Sequence, residues 1–166
     1  MTITLDFKNN FLIGVISDTH GYVPTAVCKA FEQTDLIVHA GDIGRQDVLK
    51  TLKHITTLVA VRGNMDFGMW ADRLPKTQQI QIGHFAIYVI HDIQRLDLEP
   101  GPAGIMAVIS GHTHRPLARE KSGVLYLNPG SASHPKFGDS ASVALLRLQA
   151  DNLAPRFVNL ENYPTP

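Results

Sequence analysis

Several residue types that mark whole classes of protein are scarce in this sequence. Cys28 is the only cysteine among 166 residues, which excludes an intramolecular disulfide and a thiolate-bound metal cluster. Charged residues make up only 18% of the chain, and fifteen basic residues balance fifteen acidic ones. No net field therefore draws the chain to nucleic acid or to an anionic membrane. No apolar stretch is long enough for a signal peptide or a membrane span, so we expect no membrane association.

The remaining composition is that of an ordinary globular protein. Hydrophobic residues make up 44% of the chain, and its length suits one core but would be cramped for two domains. We expect residues 1–166 to form a single domain in the reducing cytoplasm. The oligomeric state is left open, and a homo-oligomer is one of the options.

Short apolar runs rich in valine and isoleucine predict strands that are buried on both faces. The first five such runs are Phe11–Ile16, Leu36–Val38, Thr57–Val61, Phe85–Ile90 and Ile105–Ile109. Helical apolar spacing fills the two gaps between the first three runs. Strands that alternate with helices pair in parallel through right-handed crossovers.

Strands after residue 76 follow one another with few helical gaps, which favours a second sheet of mixed or antiparallel type. Weaker runs lie near 123–127, 141–148 and 156–160, and an Ile3-Leu5-Phe7 alternation predicts an added edge strand. The predicted fold is an α/β sandwich of two sheets with helices outside.

Each of the first five runs ends in residues of types that bind metal ions. The segments that follow them are Ser17-Asp18-Thr19-His20, His39-Ala40-Gly41-Asp42, Arg62-Gly63-Asn64, His91-Asp92 and Gly111-His112-Thr113-His114. Ligands of α/β sheets bind outside the carboxyl ends of the strands, where loops converge. We therefore expect five strands of one sheet region to bring these side chains together.

Taken singly, these segments have ordinary structural explanations. An aspartate after a strand, such as Asp18, is usually a turn former or a helix cap. Gly63-Asn64 is a common turn dipeptide, and His91 alone suits a buried core position. The structural explanation must be repeated five times, always at a strand end, and this coincidence favours a functional site.

The predicted ligand set indicates the class of metal. Two carboxylates, one amide oxygen and four imidazoles without thiolate suit Mn²⁺, Fe, Zn²⁺ or Ni²⁺. One metal rarely takes seven protein ligands, whereas two sites that share one carboxylate would use them all. Two cations roughly 3.5–4 Å apart can activate a water and clamp phosphoryl oxygens.

This ordered series of motifs resembles the calcineurin-like metallophosphoesterase superfamily. The series runs Asp-x-His, Gly-Asp, Gly-Asn, His and Gly-His-x-His. The short chain, the Arg-Gly-Asn-x-Asp segment and the Asn128-Pro129-Gly130-Ser131 loop resemble its small single-domain, YfcE-type phosphodiesterase branch. The resemblance implies the two-sheet α/β sandwich and a small phosphoester as substrate.

The resemblance also implies a role for each residue. One metal would be held by Asp18, His20 and His114, and the other by Asn64, His91 and His112, with Asp42 bridging the two ions. The nucleophile would be a metal-bridging hydroxide. Two divalent ions per chain are expected, Mn²⁺ first, with Fe, Zn²⁺ or Ni²⁺ as alternatives.

Residues 62 to 66 carry the remaining site predictions. Asn64 and Arg62 would contact the substrate phosphate, and Asn64 and Asp66 are the predicted catalytic residues. Many superfamily members have a histidine after the Gly-Asn pair that acts as general acid, but Met65 stands here and has no proton to give. Asp66 would orient that histidine and has lost this partner. Cleavage of diesters with good leaving groups is therefore favoured over hydrolysis of alkyl monoesters.

Four further histidines are predicted to lie outside the ligand set. We expect His39 to be a core histidine that supports the ligands, and His54 and His84 to lie on the surface. His134 lies near a predicted substrate loop without an assigned role.

Three functions fit this sequence. The first is a metal-dependent phosphodiesterase, and the second is a monoester phosphatase or nuclease of the same fold. The neutral charge and the short chain disfavour the nuclease. The third is a non-catalytic binding scaffold like the retromer vacuolar-sorting subunit, which resembles this fold but lacks the full set of metal histidines.

Overall fold

The computed structural model describes residues 2–163, and these form two packed β-sheets with two α-helices. The helices are α1 (Thr25–Ala30) and α2 (Gln46–Lys53), and short 3₁₀ helices cover Ala71–Arg73 and Ile93–Arg95. In chain order the strands are β1 Thr2–Leu5, β2 Phe11–Ile16, β3 Leu36–His39, β4 Leu58–Ala60, β5 Thr77–Ile82, β6 Phe85–Ile90, β7 Ala107–Ile109, β8 Pro116–Lys121, β9 Val124–Pro129, β10 Ser142–Gln149 and β11 Asn152–Asn159.

The five-stranded sheet has the order β11-β10-β2-β3-β4. Strands β2, β3 and β4 are parallel to one another, while β10 and β11 run antiparallel. The predicted parallel pairing of the first three strands is therefore confirmed. Helices α1 and α2 form the crossovers, and the buried side chains of α2 are Val48, Leu49 and Leu52, as its apolar stripe predicts.

The six-stranded sheet has the order β1-β5-β6-β7-β9-β8 and is mixed, as predicted. Strands β6, β7 and β9 are parallel, whereas β5 and β8 pair antiparallel with β6 and β9. Strand β1 pairs in parallel with β5 at one edge, so the predicted edge strand is confirmed.

The main hydrophobic core lies between the two sheets and draws side chains from both. Alternate residues of β2 point into it, namely Phe11, Ile13 and Val15, and they meet Ile80 and Ile87 from the six-stranded sheet. Each such side chain contributes about 1.5–3 kcal/mol when fully buried. The two-sheet sandwich predicted from the sequence is confirmed.

The helices cover the five-stranded sheet on its outer face. There Phe31, the residue directly after α1, packs against β2 at Gly14, where a β-carbon would lie 2.9 Å from the aromatic ring. The outer face of the six-stranded sheet instead carries a smaller cluster of Ile90, Ile105, Val108 and Val124. Both α-helices therefore flank the five-stranded sheet, while Ile93 of the short 3₁₀ helix packs on the other sheet. No helix among residues 2–163 combines the length and the apolarity that a membrane crossing requires.

Two strands were not expected from the sequence. In β5 the alternating glutamines hide the period, although Gln78, Ile80 and Ile82 are buried on one face. Strand β8 is an edge strand with mostly exposed, charged residues, so it has no apolar pattern to find.

Candidate metal centre

All seven predicted metal ligands lie at the carboxyl ends of strands that come from both sheets. Strands β2, β3 and β4 lead to Asp18 with His20, Asp42 and Asn64. Strands β6 and β7 lead to His91 and to His112 with His114. The prediction that one sheet region supplies all five strands is therefore wrong. Strands β6 and β7 follow residue 76 and lie in the second sheet, as the scarcity of helical gaps there predicts, so both sheets contribute ligands.

Hydrogen bonds across the sandwich hold the two sets of loops together. The Nδ1 atom of His91 donates to the carbonyl of Ala40 over 2.7 Å. The backbone N–H of His112 donates to Asp18 Oδ2 over 3.1 Å. The site therefore depends on the packing of one sheet on the other.

Five of the seven predicted ligands have left-handed backbone conformations. Their φ angles are 53° for Asp18, 46° for His20, 54° for Asp42, 69° for His112 and 62° for His114. This conformation costs a non-glycine residue roughly 1–2 kcal/mol. Strain of this kind concentrates at functional sites, where the surrounding structure enforces it.

Glycines next to the ligands allow the loops to approach each other closely. A β-carbon on Gly63 would collide with the backbone nitrogen and the carboxylate of Asp42. A β-carbon on Gly111 would collide with the hydroxyl of Ser17, which donates to Asp18 Oδ2 over 2.6 Å. The Gly-Asn and Gly-His pairs of the sequence thus reflect close contact between loops as well as turn geometry.

The first ligand group consists of Asp18, His20 and His114, whose ligand atoms all lie within 4.8 Å of one another. The Nε2 atoms of His20 and His114 are 3.3 Å apart, and His114 Nε2 is 3.2 Å from Asp18 Oδ1. Asp18 Oδ1 is buried and makes no hydrogen bond of good geometry within the described chain. A buried carboxylate oxygen without a hydrogen bond of good geometry, within 4.8 Å of two imidazole nitrogens, fits a bound cation.

The second ligand group consists of Asp42, Asn64, His91 and His112. Asn64 Oδ1 lies 3.0 Å from both His91 Nε2 and His112 Nδ1. Asp42 Oδ1 lies 3.4 Å from His91 Nε2 and accepts the backbone N–H of Met65 over 2.8 Å. Asp18, Asp42 and His91 also form a set with ligand atoms within 4.8 Å, which places the aspartates between the two groups.

Two imidazoles are oriented by their remaining ring nitrogen. His91 Nδ1 donates to Ala40 O over 2.7 Å, and His114 Nδ1 donates to His134 O over 2.6 Å. A carbonyl oxygen accepts only, so both rings carry the proton on Nδ1 and turn Nε2 toward the site. Metal-binding histidines are commonly held in this way.

The charges at the site shift the acidity of its histidines. The Asp18 carboxylate raises the pKa of His114. Burial alone would lower the pKa of His91, but the Asp42 carboxylate outweighs burial and raises it. Burial lowers the pKa of His20, despite the nearby aspartates. Protons and cations compete for the same nitrogens, so metal affinity should fall as the pH falls.

Asp66 holds two loops together through its side chain. Its buried carboxylate accepts the N–H of Gly44 and the N–H of Gly63, both over 2.8 Å. With methionine instead of histidine at position 65, the Asp66 carboxylate therefore binds two backbone amides. This geometry supports a positioning role, and the catalytic role predicted for Asp66 stays a prediction.

Arg62 is held by the loop that follows it. Its Nε donates to Asp66 O over 3.0 Å, and its Nη1 pairs with Asp72 over 2.7 Å. The side chain nevertheless lines a recess next to Asn64. Its predicted contact with a substrate phosphate stays a prediction.

Sequence reasoning missed the residues that support the Gly-His-x-His loop. The amide of buried Asn128 donates to Gly111 O over 2.7 Å and to Thr113 Oγ1 over 3.1 Å. Ser131 Oγ donates to Asp18 O over 2.8 Å. In the sequence the Asn-Pro-Gly-Ser loop indicates only the family, because no local pattern reveals contacts between loops, such as that of Ser131 with Asp18.

Two recesses open on the ligand groups, and Asn64 and His112 line both. The methionine-side recess, of about 420 Å³, is lined by His20, Asp42, Asn64, Met65, His112, His114, His134 and Lys136. The basic recess, of about 410 Å³, is lined by Arg62, Gly63, Asn64, Lys76, Thr77, Ile90, His91, Asp92, Arg95 and His112. A molecule over the ligand groups could therefore extend in two directions.

His39 is a fully buried core histidine, as predicted, and His54 and His84 are exposed. The Nδ1 atom of His39 accepts the N–H of Gly41 over 3.2 Å. Its Nε2 lies 3.0 Å from the hydroxyl of Thr19, whose proton goes to Ile43 O, so His39 donates from Nε2. Burial lowers the pKa of His39 to about 3.

The buried neutral His39 should make the unfolding free energy depend on pH. The folded state resists protonation until about pH 3, whereas the unfolded chain binds a proton below 6.5, so stability is lost as the pH falls through this window. At pH 5 the expected loss from His39 is about 2 kcal/mol. Urea unfolding of the chelator-treated protein at about pH 7.5 and 5 measures it. The loss should shrink by this amount in His39→Gln but persist in His54→Gln, and equal losses in both variants would contradict the assignment.

The profile of the calcineurin-like phosphoesterase superfamily domain matches residues 11–151 of this chain. A probable metallophosphoesterase of Methanothermobacter thermautotrophicus is 38% identical over 156 residues, which cover 86% of this chain and 88% of that protein. Phosphodiesterase YfcE of Escherichia coli (strain K12) is 26% identical over 160 residues, which cover 78% of this chain and 84% of that protein.

Solved structures share the fold at lower identity. A conserved uncharacterized protein (predicted phosphoesterase) from Streptococcus pneumoniae TIGR4 superposes with a TM-score of 0.74 at 24% identity, covering 95% of this chain and 94% of that chain. Wild-type Vps29 of Entamoeba histolytica, complexed with Zn²⁺, superposes with a TM-score of 0.69 at 21% identity, covering 90% of this chain and 99% of that chain. The fold is thus common to an inferred esterase and to a vacuolar sorting protein.

Proposed function

The chain belongs to the calcineurin-like phosphoesterase superfamily, and we propose that it is a phosphodiesterase with a dinuclear metal site that cleaves a small phosphodiester. The observation that carries the proposal is the convergence of two carboxylates, an amide oxygen and four imidazoles on one edge of the sandwich. The strained backbone of five of these residues supports it, because a structural role alone gives no reason for such strain.

The two ligand groups would each hold one divalent cation, with Asp42 between them. Two bound cations supply an activated water and neutralise the charge that develops on the phosphoryl oxygens. The chain itself contributes fixed geometry. Asn64 is exposed at the boundary of both recesses, so its amide can contact the substrate phosphate as well as a cation. Mn²⁺ is our first choice for the metal, because oxygen and imidazole ligands suit it.

The leaving group would meet a surface without an obvious proton donor at position 65. The Met65 side chain is 52% exposed and lines the methionine-side recess together with the ligand groups. A thioether neither donates nor carries a proton. Diesters with good leaving groups are therefore the proposed substrates, in preference to alkyl monoesters.

The scaffold alternative is supported by the fold that the chain shares with Vps29. Metal content does not separate the two functions, because a Vps29 has itself been complexed with Zn²⁺. Turnover does separate them. The Mn²⁺-loaded chain should hydrolyse aryl phosphodiesters, and the complete set of four imidazoles at the site favours this outcome over a purely structural use of the fold.

Met65 provides the experiment that tests the proposed reaction. Without a general acid, kcat/KM should fall steeply as the leaving-group pKa rises across a series of substituted aryl diesters. General acid catalysis is typically worth about 10²–10⁴-fold, so Met65→His should flatten the slope by raising the rates of the poorest leaving groups. The carboxylate of Asp66 is occupied by backbone amides, so we expect a gain at the lower end of this range.

Met69→His is the matched control for this experiment. Met69 belongs to the same loop and is 84% exposed, but it does not line the methionine-side recess. This variant should keep the steep wild-type slope. No turnover of any diester by the metal-loaded wild type would refute the phosphodiesterase, and a shallow wild-type slope would mean that another group protonates the leaving oxygen.

A further inference from the structure

The basic recess contains three cationic side chains that the ligand groups do not use. They are Arg62, Lys76 and Arg95. The recess shares Asn64, His91 and His112 with the second ligand group, so a substrate whose phosphate lies over that group can extend into it. Such a cluster beside a phosphoesterase site indicates which substrates the site prefers.

Three distant segments build this recess. The backbone N–H of Arg62 donates to Pro75 O over 2.8 Å, which holds the end of β4 beside the start of β5. Thr77 is the antiparallel partner of Ile90, so Lys76, one residue earlier, stands level with His91, one residue later. Antiparallel partners lie only about 4.5–5.5 Å apart between Cα atoms. Sheet pairing therefore places Lys76 next to a predicted metal ligand.

The third cation is positioned by Asp92. Its Oδ1 caps the short helix Ile93–Arg95 by accepting the N–H of Gln94 over 3.0 Å. Its Oδ2 lies 3.4 Å from Arg95 Nε. These two contacts direct Arg95 to the wall of the recess.

The charges of the recess do not cancel. Arg62 is paired with Asp72 over 2.7 Å and Arg95 with Asp92 over 3.4 Å. The Lys76 ammonium makes no ion pair or hydrogen bond within residues 2–163. One positive charge is therefore left over beside the ligand groups, and both arginines keep further N–H groups for an anion.

We infer that the basic recess binds a second phosphate group, carried on one arm of the diester that the neighbouring site cleaves. This inference rests on the proposed function and narrows its substrate to diesters that bear an additional phosphate. Guanidinium and ammonium groups bind phosphate oxygens through charge-assisted hydrogen bonds. Lys76 supplies the uncompensated charge, and Arg62 and Arg95 supply directed donors.

Two substrates with the same leaving group test the inference. One is methyl p-nitrophenyl phosphate, and in the other the methyl group is replaced by a phosphate-bearing ethyl chain. The wild type should prefer the phosphate-bearing ester by about 10- to 100-fold in kcat/KM. This ratio corresponds to the free energy that a hydrogen bond to a charged group usually contributes. Lys76→Gln should lose most of this preference.

Lys29→Gln is the matched control, because Lys29 is an exposed lysine on α1, away from the recess. It should keep the wild-type preference. A preference near one in the wild type, or an unchanged preference in Lys76→Gln, overturns the inference while the phosphodiesterase stands. If the protein cleaves neither ester, the proposed phosphodiesterase function itself is refuted.

A binding measurement tests the recess without turnover. Inorganic phosphate added to the chelator-treated protein should shift the backbone amide NMR signals of Lys76 and Arg95. The signals of residues 76 and 95 should not shift in Lys76→Gln and should shift in Lys29→Gln. Shifts that bypass both residues, or that are unchanged in Lys76→Gln, contradict a phosphate site in the basic recess.

Discussion

Asp42→Ala should remove both metal ions and lower diester hydrolysis by on the order of 10³-fold or more, beyond the 10–100-fold typical of residues that only support a ligand. The Asp42 carboxylate is almost completely buried and lies between the two ligand groups, 3.4 Å from His91 Nε2. The contact with His91 and the N–H of Met65 outweigh burial and lower the pKa of Asp42, so it is an anion at neutral pH. Its loss removes the charge that both cations would share.

Elemental analysis after dialysis measures the first effect, and kcat/KM for an aryl diester measures the second. We expect about two ions per chain in the wild type. Asp151→Ala is the control, because Asp151 is exposed and, among residues 2–163, pairs only with the surface residue His84. One ion in the wild type, or two ions retained by Asp42→Ala, would disprove the dinuclear assignment.

His112→Ala and His114→Ala should each reduce diester hydrolysis by orders of magnitude, while His54→Ala and His84→Ala should leave it unchanged. His114 Nε2 faces Asp18 and His20, and His112 Nδ1 faces Asn64. His54 follows α2 and His84 precedes β6, and both are exposed and outside the ligand groups. Loss of an imidazole ligand should lower the affinity for one metal ion directly, and by more than the 10–100-fold effect that is typical of a supporting residue.

Stability measurements distinguish loss of a ligand from loss of the fold. His112 is exposed, so His112→Ala should keep the unfolding free energy of the metal-free protein within about 0.5 kcal/mol, as for most surface substitutions. His114 is buried and donates to His134 O over 2.6 Å, so His114→Ala should cost more. Equal activity losses in all four variants would mean that structural histidines had been mistaken for ligands.

The order of motifs along the chain was sufficient to predict the family, the sandwich and the candidate ligands. Strand bounds such as Phe11–Ile16 and Phe85–Ile90 agree between sequence and structure. Buried strands require uninterrupted apolar residues, and the aspartate, asparagine or histidine that follows each of the first five runs is visible locally. The ligand roles themselves stay predictions until metal content is measured.

Two strands could not be predicted, because their sequences contain no run of apolar residues. Strand β5 carries three glutamines, and one of them, Gln78, is buried. Strand β8 lies at a sheet edge, where its side chains are exposed to solvent and charged residues are tolerated. Neither strand is visible as a hydrophobic run, yet β5 places Lys76 beside His91, so the basic recess could not be foreseen.

The sequence by itself determined the chemical types that stand at the strand ends, because each type is a property of one residue and its immediate neighbours. Only the tertiary structure decided which atoms meet. It showed that ligand loops from both sheets, rather than from one, meet at the site, that Asp66 binds two backbone amides, and that Asn128 supports a loop fifteen residues away. Such contacts depend on how the two sheets pack and on how closely Gly63 and Gly111 let their loops approach. Packing of this kind is a long-range property that local spacing does not record.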